Sequence, residues 1–225
     1  MYSRKEVDPA AASAFLFPNP AIGYTGDMRK AKKEKRRLPR SPALRIATIA
    51  VLTAVTAVFT YLVRIPIAPT RGYLNLGDVA VYFSAFTLGP LTALLAGGLG
   101  TALADLLAGY PQWIPISLLV HGLQGLLAAL VAVLPLGRSS LGQRDMSARR
   151  DSRWPFPPAW LAAGGVGTLV MCAGYFSAGA MMYGFGAALV ELPGNLLQNV
   201  AGLLAGIPLS LAVRKAYPPV AELRW

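Results

Sequence analysis

Apolar residues dominate the chain from position 43 onward, in stretches long enough to cross a bilayer. A hydrocarbon core of about 30 Å takes roughly 20 helical residues, and glycines, prolines or charged residues separate the stretches. The pattern predicts an all-α membrane protein, a bundle of six transmembrane helices. The predicted spans are residues 43–63, 79–88, 91–108, 112–135, 158–183 and 192–213.

The second span is short, which leaves two alternatives for residues 79–108: one long helix or a hairpin of two. Gly89-Pro90 favours a break, because proline lacks a backbone donor and disfavours helical backbone in the residue before it. We therefore expect two helices that turn at Gly89.

The basic residues also favour the hairpin. Of 21 lysines and arginines, ten lie in residues 1–42, five in 138–153 and three in 214–224. With six spans and the N-terminus inside, all three groups are cytoplasmic, Arg45 lies at the inner boundary, and Arg64 and Arg71 lie outside. Cytoplasmic flanks of membrane proteins carry an excess of lysine and arginine. Six spans, with both termini on the cytoplasmic side of the plasma membrane, therefore fit better than five.

The composition agrees with a membrane bundle. Apolar types make up 55% of the 225 residues and charged types 14%, against about 25% charged residues in ordinary soluble domains. These values argue against a water-soluble globular enzyme, and against a disordered chain, which needs low hydrophobicity. The single cysteine, Cys172, allows no internal disulfide and no cysteine metal cluster.

Three segments follow from these patterns. Residues 1–42 are expected to be a disordered, basic, cytoplasmic segment, residues 43–215 the membrane domain, and residues 216–225 a cytoplasmic tail. The basic run directly precedes an apolar span, so the positive-inside rule explains it without a nucleic-acid partner. It also follows the short N-terminal apolar patch, which is the reverse of a signal peptide. The sequence leaves open whether Met1 or Met28 is the start.

Small residues recur at helical spacing on three of the predicted helices. They let helix backbones approach closely in lipid, so the stripes on the third and sixth helices are interpreted as internal packing. Those stripes are Ala96, Gly100 and Ala104 on the third helix, and Gly202 and Gly206 on the sixth. The first helix carries a similar face, whose role the spacing leaves open. That face consists of Ala47, Ala50, Ala54 and Ala57.

Polar residues inside the predicted spans converge on the outer half of the bundle. An ionisable side chain at mid-bilayer costs about 2.5–3.5 kcal/mol on insertion scales, so it usually has a function. Polar groups gathered at one depth predict a pocket open to the outside. The group consists of Asp78, Asp105, Trp113, Ser117, His121, Gln124, Glu191, Asn195, Gln198 and Asn199.

Most of these residues also have a purely structural interpretation. Asp78 follows Gly77 and precedes an apolar run, where it would cap a helix. Glu191 precedes Pro193 at an expected helix start, where a carboxylate suits the helix dipole. Asp105 lies one turn from the outer end of its helix, where it would reach the membrane interface. His121 fits a buried core histidine, and the amides of Asn195, Gln198 and Asn199 fit interhelical hydrogen bonds.

No catalytic signature accompanies the polar group. The sequence has no G-x-x-x-x-G-K-[ST] phosphate loop, no H-E-x-x-H zinc motif and no G-x-S-x-G elbow. We therefore expect a protein that is not an enzyme and holds no cofactor or metal. Uphill transport would take its energy from a partner or an ion gradient.

Several linked motifs resemble a known family. They are Gly72-Tyr73-Leu74-Asn75-Leu76-Gly77-Asp78, Gly89-Pro90, Gly97-Gly98-Leu99-Gly100, Ala104-Asp105, Gly109-Tyr110, Gly122 with Gly125, and Asn195 with Gln198. Together, over residues 43–215, the chain resembles the substrate-binding S component of energy-coupling factor (ECF) vitamin transporters.

The resemblance implies a function and partners. Such a protein, surrounded by membrane lipids, binds a vitamin from outside and docks on a T component that carries two ATPase subunits. In that family small residues of the first helix contact the T component, and Ala50-x-x-x-Ala54 matches this pattern. Residues 64–77 would help to cover the ligand, and the protein would topple in the membrane to release it.

The resemblance also implies a substrate class, riboflavin or a thiamin-precursor pyrimidine. Similar proteins often carry Lys and Glu where this chain has His121 and Gln124. Aromatic side chains at the pocket edge suit a flat heteroaromatic ring. The expected substrate-binding residues are Tyr73, Asn75, Asp78, Asp105, Tyr110, Trp113, His121, Gln124, Glu191, Asn195 and Gln198, and the expected docking residues are Ala47, Ala50, Ala54 and Ala57.

Two other functions stay open at this point. A stand-alone carrier would use Asp105 and Glu191 as proton relays. An intramembrane enzyme would use Asp78, Asp105 and His121 as acid and base groups, although no motif supports it.

Overall fold

A computed structural model describes residues 41–134 and 158–224, and these ranges contain six α-helices. The helices are α1 (Pro42–Leu62), α2 (Gly77–Thr87), α3 (Pro90–Ala108), α4 (Ile114–Val131), α5 (Pro158–Tyr183) and α6 (Phe185–Ala216). Residues 1–40 of the expected disordered segment and the arginine-rich connection 138–153 lie outside the described residues.

A short β-hairpin, absent from the prediction, leads from α1 towards α2. Strands β1 (Ile65–Ile67) and β2 (Gly72–Leu74) are antiparallel, with Pro66 opposite Tyr73. A 3-10 turn joins the strands, and Arg71 closes it with a left-handed φ of 50°. The hairpin brings Tyr73 back towards the ends of the helices.

Five of the six helices, all except α2, are long and apolar enough to cross a membrane. The eleven residues of α2 rise about 16 Å, roughly half of the hydrocarbon core. Nine of these residues are buried, because α1, α3, α4 and α6 all contact α2. The helical membrane fold is confirmed. A crossing by α2, and with it the cytoplasmic placement of both termini, stays a prediction.

The expected break before α3 is confirmed. The backbone N–H groups of Leu88 and Gly89 both donate to the Ser84 carbonyl, which ends α2. Gly89 has a φ of 95°, a conformation that favours glycine. Pro90 then starts α3, at a position where its missing donor costs nothing.

The predicted bounds of two helices are wrong. The fourth helix is shorter than the predicted 112–135, and α6 starts at Phe185 instead of residue 192. Gly184 (φ 91°) separates α5 from α6, while Pro193 lies inside α6. Membrane helices tolerate an internal proline when neighbouring groups satisfy the freed backbone group. Glu191 is therefore the seventh residue of α6, beyond the first turn where the helix dipole acts, so the dipole interpretation is wrong.

The glycines of α3 and α6 pack inside the bundle as predicted. A Cβ atom on Gly202 would overlap the Cβ of Asp78 on α2, and one on Gly100 would lie 2.5 Å from the Cβ of Thr56 on α1. The missing side chains therefore let α6 approach α2, and α3 approach α1.

The alanines of α1 do not form one exposed face. Ala47, Ala50 and Ala54 are exposed, whereas Ala57 is buried together with Thr56 and Thr60. The difference arises because the bundle covers the last part of α1.

Candidate ligand-binding site

A cavity lies between the β-hairpin and the helices α1, α3, α4, α5 and α6. About 20 Å³ is open to the centre of a water molecule, which is room for one or two waters, since one takes about 10–15 Å³. Its wall combines hydroxyl, amide, carboxyl and imidazole groups with aromatic rings. The lining residues are Thr60, Gly72, Tyr73, Asn75, Thr101, Asp105, Trp113, Ser117, His121, Met171, Tyr175, Glu191, Asn195 and Gln198.

Behind the wall, the fully buried carboxylate of Asp78 accepts hydrogen bonds from three amides. Gln124 Nε2 donates to Oδ1 and Gln198 Nε2 to Oδ2, each at 2.7 Å, and Asn199 Nδ2 donates to Oδ1 at 3.2 Å. Asp78 thus joins α2 to α4 and α6 instead of capping α2, so the capping interpretation is wrong. The interhelical interpretation is confirmed for Gln198 and Asn199, which both donate to Asp78 across the helix contact.

His121 is held by the same group. Its Nδ1 lies 2.8 Å from Gln124 Oε1 and 3.5 Å from Asp78 Oδ1. Gln124 gives its amide donor to Asp78, so its Oε1 accepts from His121 and Nδ1 carries the proton. His121 is thus a buried, hydrogen-bonded histidine whose ring also lines the cavity.

Gln198 also fixes the segment between the hairpin and α2. Its Oε1 accepts the backbone N–H of Asn75 at 2.7 Å, while its Nε2 donates to Asp78. The Asn75 side chain in turn accepts the N–H of Gly77 at 2.7 Å. A Cβ atom on Gly77 would overlap the Thr60 hydroxyl, so this close approach requires glycine.

Asn199 extends this hydrogen-bonded group towards α5. Its Oδ1 accepts from the Tyr82 hydroxyl and, at 2.6 Å, from Thr168 Oγ1. Because its Nδ2 donates to Asp78, one amide links α2, α5 and α6. The wall of the cavity therefore rests on side chains that are already fixed in position.

Asp105 and Tyr73 form the hairpin side of the wall. The Tyr73 hydroxyl donates to Asp105 Oδ1 at 2.6 Å, and its ring centroid lies 4.9 Å from that of Tyr110. Burial, together with the Asp105 carboxylate, raises the pKa of Tyr73 above its usual range, so the hydroxyl stays a donor. Gly109 (φ 79°) ends α3 one turn later and leaves Asp105 in its last turn.

Glu191 reaches the cavity from α6. Its Oε1 would lie 3.3 Å from a Cβ atom on Gly72, and Trp113 Cε2 would lie 3.7 Å from the same atom. The absence of a side chain at Gly72 thus lets β2 approach α6 and the indole closely.

The remaining wall is aromatic. The Trp113 ring lies 5.5 Å from Tyr175 and 6.1 Å from Tyr183, and its Nε1 donates to the Arg71 carbonyl at 3.3 Å. The Tyr175 hydroxyl is 2.6 Å from Ser117 Oγ. A planar ligand can stack on such rings.

The structure brings together eight of the eleven predicted substrate-binding residues. Those that line the cavity are Tyr73, Asn75, Asp105, Trp113, His121, Glu191, Asn195 and Gln198. Asp78 and Gln124 lie behind the wall, and Tyr110 packs on Tyr73. The role of each residue in ligand binding stays a prediction.

Four residues that line the cavity were not predicted from the sequence: Thr60, Thr101, Met171 and Tyr175. The available signal for Tyr175 was a phenol deep inside an apolar span, because a buried tyrosine hydroxyl usually has a partner. The threonine hydroxyls donate to carbonyls of their own helices, and such threonines cannot be distinguished in a sequence from ordinary helix residues.

The wall offers hydrogen-bond donors, hydrogen-bond acceptors and aromatic ring faces. Across residues 41–134 and 158–224, no three histidine, cysteine, aspartate or glutamate side chains are grouped so as to hold a metal ion.

Comparisons with known proteins give three matches. A family model described as "ECF-type riboflavin transporter, S component" matches residues 42–135. The Pyrococcus woesei "Uncharacterized protein in gap 3'region" is 35% identical over 165 residues, which cover 73% of this chain and 98% of that protein. The "Thiamine precursor transporter HmpT" of Lactococcus lactis subsp. cremoris (strain MG1363) is 31% identical over 162 residues, 72% of this chain and 82% of that transporter.

Proposed function

This chain belongs to the family of ECF-transporter S components, and we propose that it is the substrate-binding subunit of an ECF importer. It is a multi-pass membrane protein of a transporter family, not of an enzyme family. In this proposal it captures a water-soluble vitamin or precursor from outside. The observation that carries the proposal is a polar, aromatic-walled cavity inside an otherwise apolar bundle.

The proposed ligand is a flat heteroaromatic vitamin or precursor, either riboflavin or a thiamin-precursor pyrimidine. The family name supports the first and the Lactococcus relative the second. The Trp113 and Tyr175 rings supply stacking surfaces, and the adjacent carboxyl and amide groups supply polar contacts.

Ligand binding by the purified protein tests this function. We expect riboflavin or a thiamin-precursor pyrimidine to raise the melting temperature, because a ligand that binds only the folded state stabilises it. Trp113→Ala removes a wall of the cavity and should reduce the shift. Tyr217→Ala, which removes an exposed aromatic ring outside the cavity, should leave it unchanged. No shift with any B vitamin or precursor would contradict the proposal.

The proposed partners are a T component and two ATPase subunits, and the proposed docking surface is the alanine face of α1. Ala47, Ala50 and Ala54 are exposed there beside large apolar neighbours such as Ile46 and Val51. Small residues permit a close approach by a partner helix. Because Ala57 is buried, the surface available for docking ends near Ala54.

Bulky substitutions test the docking surface. The double variant Ala50→Trp, Ala54→Trp should fail to co-purify with the T component and ATPases, yet still bind ligand. Leu169→Trp, on an exposed position of α5, is the matched control and should assemble normally. Unchanged assembly of the double variant would exclude this surface.

The proposed location is the plasma membrane, with residues 1–42 and the tail 216–225 in the cytoplasm. The distribution of lysine and arginine supports this orientation. In a Cys172→Ala background, Asp145→Cys should resist an impermeant maleimide added to intact cells, whereas Ala68→Cys in the hairpin should react. Labelling of residue 145 from outside would reverse the orientation.

A stand-alone proton-coupled carrier is the second candidate, favoured by the two buried carboxylates in the cavity wall, Asp105 and Glu191. Such a carrier would accumulate its substrate in proteoliposomes that contain this chain alone and a proton gradient. An S component would not accumulate substrate without its ATPases.

A further inference from the structure

An arginine lies over an aromatic ring at the end of the bundle where α5 begins and α6 ends. Arg214 is in the last turn of α6, and its guanidinium carbon is 5.5 Å from the centroid of the Trp160 ring on α5. This distance is typical of a cation–π contact. Trp160 is only 6% exposed, and its ring stacks on Phe86 of α2 at 4.7 Å. The bundle therefore fixes the ring that holds Arg214.

A second arginine reaches the same place from the chain beyond α6. A 3-10 helix, Pro218–Leu223, contacts α6 and buries Val220. Arg224 follows this short helix and comes close enough to Arg214 for the two positive charges to interact. The segment after α6 is thus packed against the bundle, and it places two guanidinium groups side by side.

Arg224 has a buried donor without an acceptor. Its Nη2 atom is buried and donates no hydrogen bond within residues 41–134 and 158–224. A buried donor without an acceptor is unfavourable, and more so when it belongs to a charged group. Burial and the neighbouring Arg214 guanidinium also lower the pKa of Arg224, so its surroundings disfavour the positive charge. An anion bound at this position would offset both effects.

Charge distribution alone does not explain the pair. Basic residues in the last turn of a helix suit its dipole, and membrane proteins collect them at one face, which accounts for Arg214 and the exposed Lys215. Arg224 belongs to a separate element, and one of its nitrogens is buried. Guanidinium groups present two parallel donors that match the oxygens of a phosphate group. Two of them together are typical of a phosphate site.

The location favours a lipid as the source of the phosphate. α6 is long and apolar enough to cross a membrane, and Arg214 lies near its end. Leu204 and Leu209, which precede Arg214 on α6, have exposed side chains. Aromatic residues at the ends of such helices are typical of the headgroup depth, and Trp160 lies there. Acyl chains could therefore run along the apolar surface while the phosphate contacts the arginines.

We propose that Arg214 and Arg224 form a binding site for the phosphate group of an anionic phospholipid. Basic pockets between helices at a membrane surface bind such headgroups. Neither arginine lines the cavity described above, so this inference goes beyond the proposed function and does not depend on it. A bound lipid would join the segment after α6 to the bundle and stabilise the folded protein.

Matched lipids test the proposal on the full chain. Native mass spectrometry of the detergent-purified protein should show that palmitoyl-oleoyl phosphatidylglycerol binds about tenfold or more tightly than phosphatidylcholine with the same acyl chains. The expected factor arises because each arginine beside an anionic headgroup contributes a preference of about fivefold. Glycerol phosphate, a soluble analogue of the headgroup, should bind more weakly than phosphatidylglycerol, because it lacks the acyl chains.

Variants then assign the preference to residues. Arg214→Gln and Arg224→Gln should each reduce the ratio of phosphatidylglycerol to phosphatidylcholine affinity about fivefold. Lys215→Gln removes an exposed charge at the same end of α6; it is the matched control and should change the ratio by less than about twofold. The ratio is informative because a general loosening of the fold weakens the binding of both lipids alike.

Three results would overturn the inference. The first is equal affinity of the wild type for the two lipids. The second is an equal loss in Lys215→Gln and Arg224→Gln, which would show a general attraction of anionic lipids to basic residues. The third is binding of glycerol phosphate as tight as that of phosphatidylglycerol, which would assign the arginines to a soluble phosphate. None of these results affects the proposed vitamin binding, which the melting-temperature experiment tests separately.

Discussion

The buried carboxylates of this protein fall into two kinds. Asp78, behind the cavity, accepts hydrogen bonds at both oxygens from amides of α4 and α6. Asp105 and Glu191, in the cavity wall, each keep one oxygen without a partner in the described ranges. A fully paired carboxylate fixes helices in place, whereas a partly paired one can still accept a hydrogen bond. The contrast separates the carboxylate that joins three helices from the two that line the cavity.

Truncation of Asp78 and of Asp105, in separate variants, should show the largest difference between the two kinds of carboxylate. Asp78→Ala leaves three buried amide donors without their acceptor and should lower the free energy of unfolding by about 3–5 kcal/mol. Asp105→Ala leaves one tyrosine hydroxyl unpaired and should cost about 1 kcal/mol. Thermal unfolding without ligand measures both effects. Similar losses of unfolding free energy in the two variants would contradict the distinction between fully and partly paired carboxylates.

A methyl group at Gly202 should disturb the fully paired carboxylate, Asp78, and leave Asp105 and Glu191 unaffected. A Cβ atom there would overlap Asp78 Cβ, and overpacking of a rigid contact costs about 1–3 kcal/mol. We expect Gly202→Ala to lower the melting temperature, whereas Gly186→Ala, where a Cβ meets nothing within 4 Å, should not. A stable Gly202→Ala protein would show that α2 and α6 can separate at little cost.

Removal of the Tyr73 hydroxyl should have a smaller effect on the free energy of unfolding, and this effect should depend on pH. Tyr73→Phe removes the donor to Asp105 Oδ1 and should cost about 1 kcal/mol at neutral pH. Because the pKa of Tyr73 is raised in the folded state, the unfolded chain releases this proton first. The wild type therefore loses stability as the pH rises above about 10, and Tyr73→Phe should lose less. Unfolding curves at pH 8 and pH 10.5 give the comparison, and equal losses would refute it.

Ser117→Ala should have the smallest effect. It removes one hydroxyl from the pair with Tyr175 and leaves the ring contacts in place. We expect a loss of about 0.5–1 kcal/mol and ligand affinity within about fivefold of wild type. A larger loss of affinity, seen by titration, would place Ser117 in direct contact with the ligand.

The fold could be predicted where backbone chemistry sets a boundary. Gly89-Pro90 combines a missing donor with a positive φ, and the break lies there. The start of α6 was misplaced because Pro193 is a strong local signal, while Gly184 acts through its backbone conformation alone. The β-hairpin was missed because its strands have only three residues each.

The site was predicted as a group but not in detail. Depth along the spans identified most of the wall, because polar side chains in an apolar bundle gather where they can pair. The rotation of each helix about its axis determines which polar side chains face the cavity, and this rotation was not predicted. His121 lines the cavity, while Gln124, three residues later on α4, lies behind it. Tyr175 was missed because a single phenol in an apolar span carries no spacing pattern.

The two hydrogen bonds of the Gln198 side chain couple the segment after the hairpin to the buried Asp78 carboxylate. One end of the amide accepts from the Asn75 backbone beside the hairpin, and the other donates to Asp78. Moving the Asn75 backbone away from α6 would break the first bond and loosen the side chain that makes the second. A displacement of this segment is therefore opposed by the same amide that joins α6 to the buried carboxylate of α2.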